Sequence, residues 1–171
     1  MFWATGRRAE RRFCRRPESC VGVVLGGSTR RRDDLAVSES DPRVLVERFY
    51  GLLWNEWNDD AVDAVLTPDF VFRGSLGTET VGRDGWRSYR DAVRRASPDF
   101  HNEIVEMVCQ GEMAAAKLVC TGHHEGVLLG TQPTGRAFRY DVAAFFRCRD
   151  GALAQAWVLG DLEALRRQLT A

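Results

Sequence analysis

The chain has 171 residues, and its 24 basic side chains balance its 24 acidic ones. This length is enough for one domain with a hydrophobic core, and the composition is that of an ordinary globular protein. Because no apolar run approaches the ~20 residues of a transmembrane helix, the sequence argues against an integral membrane protein and predicts no membrane partner.

The first forty residues differ in charge from the remainder of the chain. Residues 1–40 hold nine arginines and five acidic residues, a net charge of +4, whereas residues 41–171 hold fifteen basic and nineteen acidic residues, a net charge of −4. Segment 1–40 has too little apolar sequence to fold, so we predict that it is disordered or that translation starts later, for example at Val37. A basic arm for nucleic acid or a membrane is the alternative. For the acidic remainder we predict no nucleic-acid partner.

The five cysteines show neither a CxxC pair nor the spacing of a metal site. The short apolar run near the start is interrupted by glycines and followed by charge, which does not fit a secretory signal. A reducing, cytoplasmic location is therefore the prediction.

Helices are predicted mainly in the first part of the folded region. Apolar residues at helical spacing predict a helix over 42–57, with a residue of Ser40-Asp41 as its N-cap. A short helix over 61–66, a strand over 70–72 and a helix over 83–96 follow.

Strands dominate the second part of the chain. Residues 100–110 and 113–125 read as strands, and segment 138–162 reads as two more, joined at Asp150-Gly151. A helix over 161–169 ends the chain. Early helices and late antiparallel strands predict an α+β fold with helices packed on one face of a sheet.

The turn at Asp150-Gly151 is the strongest local signal in the sequence, because this pair supplies the positive φ angles of a two-residue hairpin. Apolar side chains alternate along the arm before it, at Phe138, Tyr140, Val142 and Ala144. Period two places them on one face of the predicted sheet.

Three stretches carry a resemblance to a known family: residues 49–69, 82–100 and 122–136, the last with the pattern His-x-Gly-x-x-x-Gly-x-x-Pro-Thr. With the Asp-Gly hairpin, they resemble the SnoaL-like polyketide cyclases, or ester cyclases, of the nuclear transport factor 2-like superfamily. The resemblance covers 42–170 and implies one domain over 41–171. It implies a cone-shaped fold, in which a curved antiparallel sheet is wrapped by N-terminal helices around an apolar pocket. It also implies frequent homodimers and cofactor-free acid/base chemistry.

The acid/base pair that the resemblance implies falls on apolar residues. Aligned on Asp150-Gly151, the family's histidine falls on Ala144 and its aspartate on Val158. Neither side chain can transfer a proton, so two hypotheses stay open. The first is a cofactor-free cyclase, isomerase or hydrolase that acts on an apolar cyclic or polyketide-like small molecule. The second is a non-catalytic small-molecule-binding protein or dimeric interaction module.

Three residues are candidates for catalysis on this scaffold. His124, at the end of a strand, reads either as a general base or donor, or as a structural histidine that anchors the following loop. Tyr140 could polarise a carbonyl group, or could be a core aromatic residue. Asp161 could be catalytic, or could cap the last helix. His123 must point away from His124, so the pair cannot chelate one ion and no metal or cofactor is predicted.

Aromatic and aliphatic residues are predicted to line the pocket, and their ligand should be apolar and ring-like. The candidates for substrate binding are Trp54, Trp57, Phe72, Trp86, Val142, Ala144, Phe146 and Val158.

A homodimer is predicted through the outer face of the sheet. Ala143 and Phe145 lie there beside Asp141 and Arg147, and apolar residues on the face away from the pocket need cover.

Overall fold

The computed structural model describes residues 38–170, so the predictions for residues 1–37 lie outside the described part. Helix α1 (Pro42–Arg48) begins at the predicted cap, where Asp41 Oδ1 accepts a 2.8 Å hydrogen bond from the Arg43 N–H. It continues as a π-helical segment, Phe49–Asn55, which the sequence did not predict. The helix ends two residues before the predicted limit, because Trp57 adopts a left-handed φ of 56°.

Three further helices follow, near the predicted positions. They are α2 (Val62–Val65), α3 (Gly82–Ala96) and α4 (Leu162–Thr170). Asn58 Oδ1 accepts a 3.0 Å hydrogen bond from the Asp60 N–H ahead of α2, which confirms the predicted stop between the first two helices.

Six strands form one sheet in the order β2-β1-β6-β5-β4-β3. The strands are β1 (Leu66–Arg73), β2 (Glu79–Val81), β3 (His101–Gln110), β4 (Met113–His123), β5 (Ala137–Arg149) and β6 (Ala152–Gly160). Strand β2 lies between the strand predicted over 70–72 and the helix predicted over 83–96, where no element was predicted. Every pair is antiparallel except β1 with β6, which is parallel and is joined by a long connection that contains α3 and four further strands.

The hairpin between β5 and β6 is as predicted. Asp150 and Gly151 have φ angles of 52° and 77°, the positive values that a two-residue loop of this kind requires. Side chains of β5 alternate between exposed and buried along its whole length. A register shift after Arg147 adds one residue to β6 near Ala154, which is the pattern of a β-bulge.

Helices cover one face of this curved, unclosed sheet and leave the other face exposed. Helix α3 packs on β1, and α4 packs on β5. Buried side chains such as Phe49, Leu118 and Phe146 form the core between the two layers. The predicted α+β fold is confirmed. No helix within residues 38–170 has the length and apolar character needed to cross a lipid bilayer.

Candidate functional site

A cavity lies between the helices and the covered face of the sheet. The space between its atoms amounts to about 600 Å³ when the open mouth is included, and the centre of a water molecule can reach about 40 Å³ of it. The cavity is therefore narrow. Its nineteen lining residues are Phe49, Tyr50, Trp54, Phe72, Ser75, Leu76, Tyr89, Val93, Ala96, Ser97, Phe100, Asn102, Cys120, Leu128, Phe138, Tyr140, Val142, Val158 and Leu165.

The lining of this cavity is uncharged. Within the described residues, none of the nineteen is an aspartate, glutamate, histidine, lysine or arginine. Its polar groups are limited to three tyrosine hydroxyls, two serine hydroxyls, one indole N–H, one amide and one thiol. Such a surface offers hydrogen bonds to a ligand but no ion pair.

The π-helical segment supplies two polar aromatic residues to the cavity. Tyr50 and Trp54 are 4 % and 5 % exposed, and both line it. Neither the Tyr50 hydroxyl nor the Trp54 Nε1–H has a hydrogen-bond partner among residues 38–170. Burial raises the pKa of Tyr50 well above its ordinary value, and the nearby Cys120 thiol adds to this shift. The hydroxyl is therefore protonated at neutral pH and can donate.

A thiol and an amide form a buried hydrogen bond on the sheet side of the cavity. Cys120 Sγ donates to Asn102 Oδ1 at 3.2 Å, and the Asn102 N–H donates to Asn55 Oδ1 at 2.8 Å. Burial raises the pKa of Cys120 to about 12, so it remains a thiol and not a thiolate. This pair holds the cavity wall but supplies no charge.

Tyr140 lies beside Cys120, because the two residues are directly paired between β4 and β5. Burial raises the pKa of Tyr140 well above its ordinary value, Cys120 adds to the shift and the neighbouring Ser75 hydroxyl opposes it. Gly160 permits this packing. A Cβ atom there would lie 2.9 Å from the Tyr140 ring and 3.1 Å from Ser75 Cβ, which is closer than side chains normally approach.

His124 is fully buried and is not among the residues that line the cavity. Its Nδ1 lies 3.0 Å from Thr134 Oγ1. Its backbone N–H donates to Arg136 O and its carbonyl accepts from the Gly135 N–H, both at 2.9 Å. These contacts join the two ends of loop 124–136, which fits the structural interpretation of this histidine.

Asp161 is exposed and likewise does not line the cavity. Its Oδ1 accepts a 2.9 Å hydrogen bond from the Ala164 N–H in the first turn of α4. This is the geometry of an N-cap. Of the three candidate catalytic residues, only Tyr140 borders the cavity.

The eight residues predicted to bind substrate divide into two equal sets. Trp54, Phe72, Val142 and Val158 line the cavity. The other four pack elsewhere: Trp86, Ala144 and Phe146 are buried in the core, and Trp57 is half-buried. Trp86, for example, stacks against the buried Arg90 guanidinium, whose Cζ lies 5.1 Å from the ring centroid.

Several cavity residues were missed by sequence reasoning. Tyr50 lies one helical turn before Trp54, and this spacing could have indicated that the two residues share a surface. Cys120 lies on the strand that pairs with the one that carries Tyr140, but the sequence did not specify that pairing. Ser75 and Asn102 gave no signal, because their places depend on contacts between distant elements.

The adjacent histidines point to opposite faces, as predicted. His123 is half-exposed, and its Nδ1 lies 2.6 Å from Asp99 Oδ2. This hydrogen bond raises the pKa of His123 and lowers that of Asp99. Within residues 38–170, no group of three or more histidine, cysteine or acidic side chains is arranged to hold a metal ion.

Solved structures with the same fold support this architecture. TsrD from Streptomyces laurentii is 27 % identical, with a TM-score of 0.69 over 79 % of this chain and 98 % of that one. IdmH, a candidate polyketide cyclase from Streptomyces antibioticus, is 24 % identical, with a TM-score of 0.67 over 76 % and 99 %. A candidate SnoaL-like polyketide cyclase from Jannaschia sp. CCS1 is 19 % identical, with a TM-score of 0.69 over 76 % and 92 %. At under 25 % identity, the last two show the fold alone.

No curated protein matches the chain significantly. The sequence profile of the SnoaL-like polyketide cyclases matches residues 44–169, which is most of the chain and contains every residue that lines the cavity. The chain therefore belongs to the SnoaL-like polyketide cyclase family.

Proposed function

We propose that this protein binds an uncharged, largely apolar, ring-containing small molecule of polyketide type in the cavity between its helices and sheet. The observation that carries the proposal is the lining itself, nineteen residues without a charged side chain. Apolar walls with a few hydrogen-bonding groups are the usual composition of a small-molecule site.

Charge is the property by which such a cavity would discriminate between ligands. A carboxylate that enters it leaves water and meets only neutral hydroxyl, amide and thiol groups. An ionised group transferred to an apolar site without a partner of opposite charge loses several kcal/mol. Neutral ligands avoid this loss and gain contact with aromatic faces such as those of Phe49, Trp54 and Phe72.

A second candidate function is cofactor-free cyclisation or isomerisation of such a ligand. The observation that favours it is Tyr140, which borders the cavity and keeps its proton because burial raises its pKa. A protonated phenol can donate to a carbonyl oxygen and stabilise negative charge that develops there. We assign no proton transfer to His124 or Asp161, because neither lines the cavity.

We also propose that two copies associate through the exposed face of the sheet. Phe145 and Trp157 are paired across β5 and β6, with ring centroids 5.9 Å apart, and are 47 % and 37 % exposed. Leu159 and Met113 extend this exposed apolar surface. A second sheet would cover these side chains.

Calorimetry with two ligands that share one ring system tests the proposed binding. 2-Acetylnaphthalene is neutral, whereas 2-naphthoate is a carboxylate at pH 7. We expect one molecule of the ketone to bind per chain, and the carboxylate to bind at least about a hundredfold more weakly. Equal affinities, or no binding of the ketone, would contradict the proposal.

Tyr140→Phe distinguishes the binding protein from the enzyme once a substrate has been found. This change removes one hydroxyl and keeps the ring. If the protein is catalytic, turnover falls sharply while the affinity for a neutral ring compound changes little. Unchanged turnover would exclude Tyr140 as the proton donor.

A further inference from the structure

The Tyr50 hydroxyl is a buried donor that nothing in the described part of the chain satisfies. The side chain is 4 % exposed and lines the cavity, and its oxygen has no hydrogen-bond partner among residues 38–170. Buried polar groups in folded proteins are nearly always hydrogen-bonded, so an exception at a cavity needs an explanation.

Other hydroxyls on the same cavity differ from it in this respect. Tyr140 and Tyr89 each interact with Ser75, and the Cys120 thiol donates to Asn102. Tyr50 lies near Cys120 but makes no bond to it. Among the groups that line the cavity, the Tyr50 hydroxyl and the Trp54 Nε1–H are therefore the two buried donors without a partner in residues 38–170.

The backbone that carries Tyr50 is itself unusual. Residues Phe49–Asn55 form a π-helical segment directly after the regular turns of α1. Short π-helical segments cost stability relative to an α-helix and occur frequently at functional sites. Here the segment brings both Tyr50 and Trp54 to the cavity wall.

From these observations we propose that Tyr50 determines ligand specificity by donating its hydroxyl hydrogen to an oxygen of the bound molecule. The inference rests on the proposed binding function and narrows it: the ligand is a neutral ring compound that carries a carbonyl or similar acceptor oxygen. An aromatic hydrocarbon of the same shape leaves the donor unsatisfied and binds more weakly. Tyr50 is protonated at neutral pH, so the contact adds no charge.

A pair of ligands of equal shape tests this contact. 2-Acetylnaphthalene carries a C=O group where 2-isopropenylnaphthalene carries a C=CH₂ group. We expect the wild-type chain to bind the ketone about tenfold more tightly than the alkene. Tyr50→Phe should abolish this preference by weakening ketone binding, with little change in affinity for the alkene.

Thr80→Val is the matched control variant. Thr80 Oγ1 is also a buried hydroxyl without a partner among residues 38–170, but Thr80 does not line the cavity. The substitution removes one hydroxyl and keeps the branched shape, so the preference for the ketone should persist. Loss of the preference in Thr80→Val would show that the effect is not specific to Tyr50, and would overturn the proposal.

A spectroscopic measurement on the wild-type chain covers the case in which Tyr50→Phe does not fold. The stretching frequency of a ¹³C-labelled carbonyl in bound 2-acetylnaphthalene should be lower than that of the same ketone dissolved in hexane, because a hydrogen bond weakens the C=O bond. An unshifted band, equal affinities for ketone and alkene, or a preference that survives in Tyr50→Phe would each overturn the proposal. Failure of both naphthalenes to bind would instead refute the proposed binding function, and this inference with it.

Discussion

Ala144 on β5 lies directly opposite Val158 on β6. These are the two positions at which the family resemblance places a histidine and an aspartate, and both are buried. The hairpin therefore brings the expected acid/base positions together, but fills them with a methyl and an isopropyl group. Proton transfer between side chains at this pair is excluded.

A carboxylate restored at one of these positions should be costly. We predict that Val158→Asp lowers the free energy of unfolding by roughly 3 kcal/mol at pH 7, because Val158 lines a cavity whose walls, within residues 38–170, hold no charged side chain. Burial should raise its folded-state pKa above the unfolded value of about 3.9, so the loss should shrink as the pH falls toward 4. Urea titrations of the wild type and the variant at pH 7 and at pH 4 measure this loss of stability.

Gln155→Asp is the control for this change, because Gln155 is exposed on the same strand. Its effect should stay within about 0.5 kcal/mol. If Val158→Asp lowered the free energy of unfolding no more than Gln155→Asp does, the result would contradict the buried position of Val158.

The proposed dimer predicts that Phe145→Glu produces a monomer. The substitution places a charge at the centre of the exposed apolar surface, beside Trp157. Light scattering at micromolar concentration should give the mass of two chains for the wild type and of one chain for the variant. Arg166→Glu, which introduces the same side chain on the exposed side of α4, should leave the mass unaltered. A monomeric wild type would refute the dimer.

His124 should prove structural rather than catalytic. His124→Ala removes the contact with Thr134 at the base of loop 124–136. We predict a loss of about 1–3 kcal/mol in the free energy of unfolding, with the affinity for 2-acetylnaphthalene retained. Loss of binding at unchanged stability would show that the histidine serves the ligand site directly.

The pair of Asp99 and His123 should make stability depend on pH. The raised pKa of His123 means that its contribution is complete below about pH 6.5 and is lost as the pH rises through the folded-state value. The lowered pKa of Asp99 means that its contribution is present above about pH 3.8 and is lost under stronger acid. Both groups are exposed, so the effect is small.

The melting-temperature difference between wild type and His123→Gln should therefore be greatest between pH 4 and 6.5 and should shrink at pH 9. His101→Gln provides the comparison, because His101 is exposed and makes no ion pair within residues 38–170. A difference that grows toward pH 9 would contradict the assigned ion pair.

Sequence reasoning succeeded where local chemistry decides the structure. The Asp150-Gly151 turn and the strict alternation along β5 were predictable, since both follow from backbone geometry over a few residues. The π-helical segment and β2 were not, because neither has a distinctive residue pattern.

Only four of the eight residues predicted to bind substrate line the cavity. Alternation identifies which side chains face inward, but it cannot separate those that border a void from those that fill the core. Val142 and Ala144 illustrate this limit: both face inward on β5, yet only Val142 lines the cavity. The contact of Asn102 with Cys120 joins strands whose register the sequence did not specify.

The pH profile of ligand affinity is the most direct test of an uncharged cavity. Burial raises the pKa of Cys120 to about 12, and raises the pKa of Tyr50, Tyr89 and Tyr140 above their ordinary values. No lining residue among those described should change its charge between pH 5 and 9. The dissociation constant of 2-acetylnaphthalene should therefore stay within about twofold over this range; a tenfold change centred on a single pKa would contradict a neutral binding site.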